Sequence, residues 1–282
     1  MPAVISSGLK QLLIIGVCLL GWKAVSASGF SSAVGARATA LGNHFTTLSD
    51  DVFSTGNNQA GIGFIKEFSA GVAAANKFST AALNTFAATA VLPTKTGSFG
   101  LTFMYYGLDV YNEKKAGLAF GKAFGNRFSA GLQFDYIHID MGHYGSRHLF
   151  TFEAGLQFYI LPQLVIGAHV NNPLRLKIDK EGEDRYPTIM RFGLSYLPSA
   201  KVAIRGEVEK DLDFNPVYKL GIEYFVVEKF TLRGGFNAYP FNGFLGVGLK
   251  FKTLGIDAVA VYHQALGFSS SLSLSYVFRR AP

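Results

Sequence analysis

The sequence predicts an all-β fold: a 14-stranded antiparallel transmembrane β-barrel with an N-terminal plug segment. Three observations predict it. Apolar and polar side chains alternate over many short segments, the connections between those segments alternate in length, and charge is scarce. The 282 residues include 26 Lys+Arg and 19 Asp+Glu, or 16%, whereas soluble domains carry about 25%. The 32 glycines and the 14% aromatic content exclude a disordered tail, which would be polar and poor in aromatic residues.

Residues 1–27 have the pattern of a secretory signal peptide. Lys10 precedes an apolar run over 12–20, and small residues follow as far as Ala27. The run is too short to span a bilayer, which takes about 20 apolar residues. The single cysteine, Cys18, lies inside this run. We therefore expect export with cleavage after Ala27, and a mature chain without disulfides.

Residues 28–63 lack a two-residue period and are rich in small side chains. We predict a short helix over 38–48 that ends in a turn at 49–51. Eight strands already give a barrel filled by its own side chains, so fourteen strands enclose spare room. We therefore expect residues 28–63 to fold into the lumen as a plug. Asp50 and Asp51 near Asn57 and Asn58 could hold calcium through their oxygens, although a turn in which Asp and Asn bond their own backbone is the simpler interpretation.

Residues 64–282 are predicted to form the outer-membrane barrel. In the segment 128–136 the even positions are apolar or aromatic and the odd ones small or polar, which places the two sets on opposite faces of a sheet. The predicted strands are 64–75, 82–92, 97–106, 114–124, 128–139, 148–160, 164–170, 188–197, 201–209, 217–226, 230–237, 244–251, 254–262 and 269–278. Short turns alternate with longer loops, as in barrels with short periplasmic turns. This alternation favours a barrel over a β-sandwich, the alternative with the same period.

The two faces of the predicted strands differ in chemistry. The apolar face must meet lipid, because a charge there costs about 2–4 kcal/mol at mid-depth. The other face points into the lumen and carries charges of both signs. The predicted lumen charges are Asp135, Glu153, Arg191, Arg205, Glu207, Lys219, Glu223, Arg233 and Asp257. We favour a structural network of paired charges, with a polar permeation path as the alternative.

A motif in the predicted plug resembles a known family. Residues 35–42 read Gly-Ala-Arg-Ala-Thr-Ala-Leu-Gly, an Asp-Asp pair follows at 50–51, and the stretch ends with Asn-Gln-Ala-Gly at 58–61. This pattern resembles the N-terminal signature of the PorV/PorQ family, which is related in fold to the FadL hydrocarbon transporters. The residues that carry it are Gly35, Ala36, Arg37, Gly42, Asp50, Asp51, Asn58, Ala60 and Gly61. The stretches 231–236 and 243–251 resemble the family's closing strands.

The resemblance implies an outer-membrane protein that is not an enzyme. It implies an accessory or binding component linked to type IX protein secretion, with secretion-system proteins or cargo as partners besides membrane lipid. The alternative is a FadL-like channel for uptake of small hydrophobic compounds, with an apolar pocket formed by Phe45, Phe53, Met104 and Met141. A structural barrel without transport is the third interpretation.

Other functions find little support in the sequence. No Gly-x-Ser-x-Gly nucleophile elbow occurs, and no enzyme is predicted. His138, His143 and His148 flank a loop at a spacing that is not typical of metal ligands, so we expect neither a metal nor a cofactor. Lysine and arginine are scattered, with no block longer than two residues, which argues against a nucleic-acid partner.

Overall fold

The alternating segments form antiparallel strands that close into a barrel. The computed structural model describes residues 33–80, 83–178, 184–238 and 240–279, so the predicted signal peptide lies outside the described residues. Within these ranges fourteen strands pair in chain order, and β14 returns to β1 with Phe278 opposite Phe68. Closure leaves no strand edge unpaired, which a sheet in lipid requires. The predicted 14-stranded antiparallel barrel is confirmed.

The strands follow the predicted order with shifted ends. They are β1 (Phe68–Asn76), β2 (Asn84–Pro93), β3 (Ser98–Leu108), β4 (Tyr111–Phe124), β5 (Phe128–Asp140), β6 (Ser146–Leu161), β7 (Leu164–Asn171), β8 (Ile189–Ser199), β9 (Val202–Asp211), β10 (Val217–Val227), β11 (Phe230–Asn237), β12 (Asn242–Lys250), β13 (Leu254–His263) and β14 (Gly267–Phe278).

The outer face of the wall is apolar. Across β2 to β5, Ala90, Leu101, Leu118 and Phe134 stand side by side in register. Phe134 is 69% exposed, and the strands carry many other large apolar side chains that face outward in the same way. A surface of this kind is stable only against hydrocarbon, so the strands span a membrane.

The two ends of the barrel differ. The turns at 94–97, 125–127 and 162–163 are short, and both chain ends of the barrel lie on their side. The opposite end carries the connection 172–188, so we take it as the extracellular end. The predicted strands 97–106 and 114–124 leave a loop at 107–113, and this prediction is wrong. Pairing between β3 and β4 continues to Leu108 opposite Tyr111, which leaves only a two-residue turn at 109–110.

The segment before the barrel contains short helices. The helix α1 spans Ala36–Ala40, and 3₁₀ helices span Val52–Gly56 and Gln59–Phe64. The predicted helix over 38–48 is wrong, because Gly42 and Asn43 both have positive φ (75° and 60°) and end the helical path. The strand predicted from 64 begins at Phe68, since residues 59–64 are helical. Among the described residues no helix is long and apolar enough to cross a membrane.

Candidate functional site

Residues 33–65, here named the N-terminal segment, lie directly against the inner wall. At Gly221 an added Cβ would lie 2.6 Å from the Leu41 carbonyl oxygen, and at Gly131 it would lie 2.5 Å from that of Gln59. Inward-facing glycines on ten strands are in contact of this kind. They are Gly71, Gly100, Gly121, Gly131, Gly155, Gly167, Gly193, Gly221, Gly235 and Gly246, here named the glycine belt. At Gly121, Gly131, Gly167, Gly221 and Gly235 the nearest atoms belong to the segment's backbone, so glycine is required there because the two backbones approach more closely than a side chain allows. At the other five glycines the segment's side chains fill the space.

Arg37 of α1 joins the segment to a buried carboxylate on β10. Its Nε and Nη2 donate to the two oxygens of Glu223 at 3.1 and 3.2 Å, and Glu223 is fully buried. Arg233 also donates to Glu223 at 2.8 Å, and Arg205 lies 2.9 Å from it. Three guanidinium groups thus surround one carboxylate. They are balanced by Glu223 itself together with Asp51, 3.6 Å from Arg37, and Asp257, 2.6 Å from Arg233.

A second carboxylate, Glu207 on β9, accepts hydrogen bonds from the segment's backbone. The N–H groups of Phe45 and Thr46 and the hydroxyl of Thr46 donate to one of its oxygens at 3.1, 3.1 and 2.8 Å. Lys219 lies 3.1 Å from the other oxygen and 2.7 Å from Glu209. Glu209 in turn accepts a hydrogen bond from Arg191 Nε at 2.6 Å. The segment's unpaired amides are therefore satisfied by the wall.

The third carboxylate is Glu153 on β6. Gln59 of the segment donates to it at 2.8 Å, and His169 lies 3.1 Å from the same oxygen. Lys115 on β4 pairs with Glu153 and lies 3.3 Å from Asp135. The nine charges singled out in the sequence thus fall into three clusters. Each cluster bonds one part of the N-terminal segment, the arrangement expected when buried charges must be paired.

The motif residues shape the segment itself. Gly35 has φ +90°, and a Cβ there would lie 2.8 Å from the ring of Phe53. Asp51 caps the first 3₁₀ helix by accepting from Phe53 N at 2.9 Å, and Asn58 caps the second by accepting from Ala60 N at 3.2 Å. Gly42 also has positive φ, Asp50 lies in a turn with φ 54°, and Ala36, Ala60 and Gly61 are buried.

Of the residues considered for calcium, Asp51, Asn57 and Asn58 each use a side-chain oxygen to accept a backbone hydrogen bond. Asn57 Oδ1 accepts from Val34 N at 2.8 Å, beside the two capping bonds of Asp51 and Asn58. Within the described ranges no group of three or more His, Cys, Asp or Glu side chains is placed to hold a metal ion. His138 and His148 stack with ring centroids 4.7 Å apart, on the outer face of the barrel.

His44 is a buried histidine on the segment rather than on a membrane-spanning strand. Its Nε2 lies 2.6 Å from Thr47 Oγ1, and Thr47 Oγ1 contacts the hydroxyl of Ser195 on β8. Burial lowers the pKa of His44 to about 4, which the nearby carboxylate of Glu207 offsets only in part. His44 is therefore neutral at physiological pH and acts as a polar contact rather than as a charge.

One part of the inner wall carries no charge. The consecutive strands β14, β1, β2 and β3 contain no Asp, Glu, Lys or Arg. Their inward positions carry small or uncharged side chains such as Ser273, Ala73, Ala87, Thr102 and Met104. We name this face the uncharged wall. The lumen is thus divided into a charged side, where wall carboxylates accept hydrogen bonds from the N-terminal segment, and an uncharged side, where Ala36 N donates to the hydroxyl of Ser273 at 3.1 Å.

The apolar pocket expected from Phe45, Phe53, Met104 and Met141 does not exist as one site. Phe53 and Met104 share a cluster at the uncharged wall. Phe45 instead packs with Leu41 and Leu48 inside the segment, under the guanidinium of Arg191 at 4.8 Å. Met141 packs below the 172–188 connection. Only the Phe53 and Met104 pair faces the uncharged side.

Sequence reasoning missed several site residues. Lys115 is not among the predicted lumen charges because the predicted strand begins at 114, next to a loop, although its odd-numbered position marks it as inward. Glu209 on β9 and His169 on β7 also occupy inward, odd-numbered positions, at or next to the ends of the predicted strands 201–209 and 164–170. The sequence also contains a signal for the glycine belt, because its glycines occupy lumen-facing positions of the predicted strands.

Solved structures with this fold include two that are named as toluene transporters. The P. putida toluene transporter TodX is similar over 89% of this chain and 100% of its own, at TM-score 0.67 and 12% identity. The Ralstonia pickettii toluene transporter TbuX is similar over 88% and 99%, at TM-score 0.66 and 12% identity. A Pseudomonas aeruginosa FadL homologue is similar over 88% and 98%, at TM-score 0.61 and 14% identity.

The chain has the fold of the FadL-like outer-membrane barrels. The barrel is therefore located in the outer membrane, as the sequence predicted. No protein-family model and no curated protein matches the sequence. The similarity to PorV/PorQ consequently receives no support beyond the motif, whereas the relation to FadL-like barrels is found in the fold.

Proposed function

We propose that the protein is a conduit for small hydrophobic compounds across the outer membrane. The observation that carries this proposal is the uncharged wall: β14, β1, β2 and β3 carry no charged side chain over their whole length, and the N-terminal segment packs against part of them. An apolar solute gains nothing from charged side chains and would have to displace their partners. Small uncharged side chains instead leave room and cost little to desolvate. The named activities of the structural neighbours agree with this path.

The same proposal makes the N-terminal segment the plug. It is bonded to three wall carboxylates on the charged side. On the uncharged side it packs Val52 and Phe53 over Gly71. Its hydrogen bonds there are to neutral hydroxyls: that of Ser273 accepts from Ala36 N at 3.1 Å, and that of Ser98 donates to Ile65 O at 3.4 Å. Water and ions meet the paired charges, while an apolar solute passes between the segment and the uncharged wall. No catalytic group is needed, so the proposed activity is not enzymatic.

Ala73 and Ala74 offer a matched test of this path. Ala73 is half-buried and faces the lumen, and Ala74 beside it is exposed on the outer face. In cells that depend on this barrel for entry, Ala73→Phe is expected to slow uptake of radiolabelled toluene at least severalfold. Ala74→Phe is expected to leave the rate unchanged. Both variants must run as folded barrels on cold gels.

Two results would overturn the proposal. One is equal uptake by the two variants, and the other is uptake by wild type no faster than by cells without the barrel. The test concerns the path and not the identity of the natural solute, because toluene serves as a small apolar probe.

A role beside type IX secretion, as in PorV/PorQ, is the second candidate and rests on the motif at 35–61. In this chain those residues cap helices and bond the wall, which is a structural task sufficient to explain them. Loss of type IX cargo from the medium of a deletion strain, together with no toluene uptake by vesicles that contain the purified barrel, would favour this candidate over the conduit.

A further inference from the structure

A polar row crosses the outer face of the barrel near its extracellular end. In register across neighbouring strands stand Phe86, Tyr105, Lys114, His138 and His148. All five occupy outward positions, the phase that elsewhere on these strands is apolar. A lysine and two histidines side by side on a lipid-facing surface are costly unless they meet a polar partner there.

The three basic residues form one connected group. The rings of His138 and His148 are stacked, and Tyr136 OH lies 2.8 Å from His148 Nδ1. Directly opposite cross-strand neighbours have Cβ atoms about 4.5–5.5 Å apart, which brings Lys114 beside His138. Among the described residues no carboxylate lies within ion-pair distance of Lys114. The nearest outward acid on β5, Asp140, accepts instead from Gly142 N at 3.0 Å.

The depth of Lys114 follows from its strand. Lys122 is the other outward lysine of β4, eight positions further toward the periplasm (122 − 114 = 8). Eight residues at about 3.3 Å each, tilted about 40°, span ~20 Å along the membrane normal. The apolar band of such barrels is about 25 Å tall. The two lysines are therefore separated by most of the height of the band, which places Lys114 near its outer edge, where its long side chain reaches the outer-leaflet headgroups.

An apolar groove begins directly beside this group. It has a volume of about 680 Å³ and extends over the outer face of β14 and β1 to β5. Ala88 and Ala116 form its floor, and Phe86, Phe103 and Leu272 rise around it. Cationic and hydrogen-bonding groups at headgroup level, with a groove that continues toward mid-membrane, match a molecule with an anionic head and acyl chains.

We propose that this surface binds a phosphorylated acyl lipid of the outer leaflet, of the lipid A class. Lys114 and the imidazoles of His138 and His148 contact a phosphate, and one acyl chain lies in the groove over Ala88 and Ala116. The basic side chains attract the phosphates of the lipids that surround them in the leaflet, because the charges are opposite. This site is on the outside of the wall and is independent of the proposed conduit.

The test is native mass spectrometry of the full mature barrel in detergent, titrated with bisphosphorylated lipid A. Removing the charge of one lysine near an anionic surface weakens binding about fivefold. Lys114→Gln is expected to lower affinity by about that factor, and the triple variant with His138→Gln and His148→Gln by about tenfold or more. Lys122→Gln, the matched control on the same strand, is expected to bind as wild type does.

A second titration uses lipid A from which both phosphates have been removed. The wild type is expected to bind it about as weakly as the triple variant binds the phosphorylated lipid. Equal binding of the two lipids by wild type would overturn the proposal, because acyl chains alone would then explain the contact. Equal loss in Lys114→Gln and Lys122→Gln would overturn it too, since the site would not be specific to the extracellular end.

Discussion

The glycine belt predicts that alanine substitutions at two adjacent glycines change the free energy of unfolding in opposite directions. Gly235 faces the lumen, and a Cβ there would contact Gly42 N, lie 2.7 Å from Leu41 C and 3.0 Å from Ala40 O. All three are backbone atoms that cannot turn aside. Gly234 faces outward, and a Cβ there would have its nearest neighbours at 3.8 Å, on Ile222 and Phe244. The same substitution by alanine therefore meets a clash at one position and free space at the next.

The magnitudes follow from these contacts. Replacing glycine by alanine where the backbone permits it stabilises by about 0.4–1 kcal/mol, because the unfolded chain loses freedom. Overpacking costs about 1–3 kcal/mol. We expect Gly234→Ala to raise the free energy of unfolding slightly and Gly235→Ala to lower it. The entropic gain is shared, so the difference between the variants is the overpacking cost, about 1–3 kcal/mol.

The measurement is urea unfolding of the barrel refolded into lipid vesicles, read from the mobility of folded and unfolded protein on cold gels. Limited proteolysis of residues 33–65 is followed in parallel, because the clash can be relieved by withdrawal of the segment as well as by loosening of the wall. Equal stability and equal protease resistance of the two variants would refute the close contact between α1 and β11.

Two further predictions concern the attachment of the segment. Glu223→Gln leaves the three surrounding arginines with one carboxylate fewer, and breaking a buried pair in this way costs about 3–5 kcal/mol. In the urea assay it should unfold far earlier than Glu228→Gln in an exposed turn, and a match between the two would contradict the assigned role of Glu223. Thr47→Cys with Ser195→Cys replaces two hydroxyls in contact by a disulfide. Toluene uptake should be the same before and after reduction, and uptake that requires reduction would show that the segment must leave the wall.

Local patterning was sufficient to predict the wall but not its contents. A two-residue period fixes which side chains share a face, so strand number, order and the inward phase of the nine charges could be read from the sequence. The pairing of those charges could not, because Glu223 meets Arg37 across 186 positions of sequence. The predicted helix over 38–48 failed for a related reason. Propensity favours it locally, but the segment bends at Gly42 to follow the wall.

The division of the lumen explains where a path is least costly to open. On the charged side, separating the segment from the wall leaves Glu153, Glu207 and Glu223 without the donors that the segment supplies. Unsatisfied buried charges cost several kcal/mol each. On the uncharged side the contact of Val52 and Phe53 with the wall is apolar, and separating it costs about 25 cal/mol for each Å² exposed. The hydrogen bond from Ala36 N to Ser273 Oγ there is neutral and adds about 1 kcal/mol. A hydrophobic solute that enters there replaces one apolar contact by another. On the proposed path the solute passes without displacing the segment from its three carboxylates, which keeps the charged side closed to water and ions.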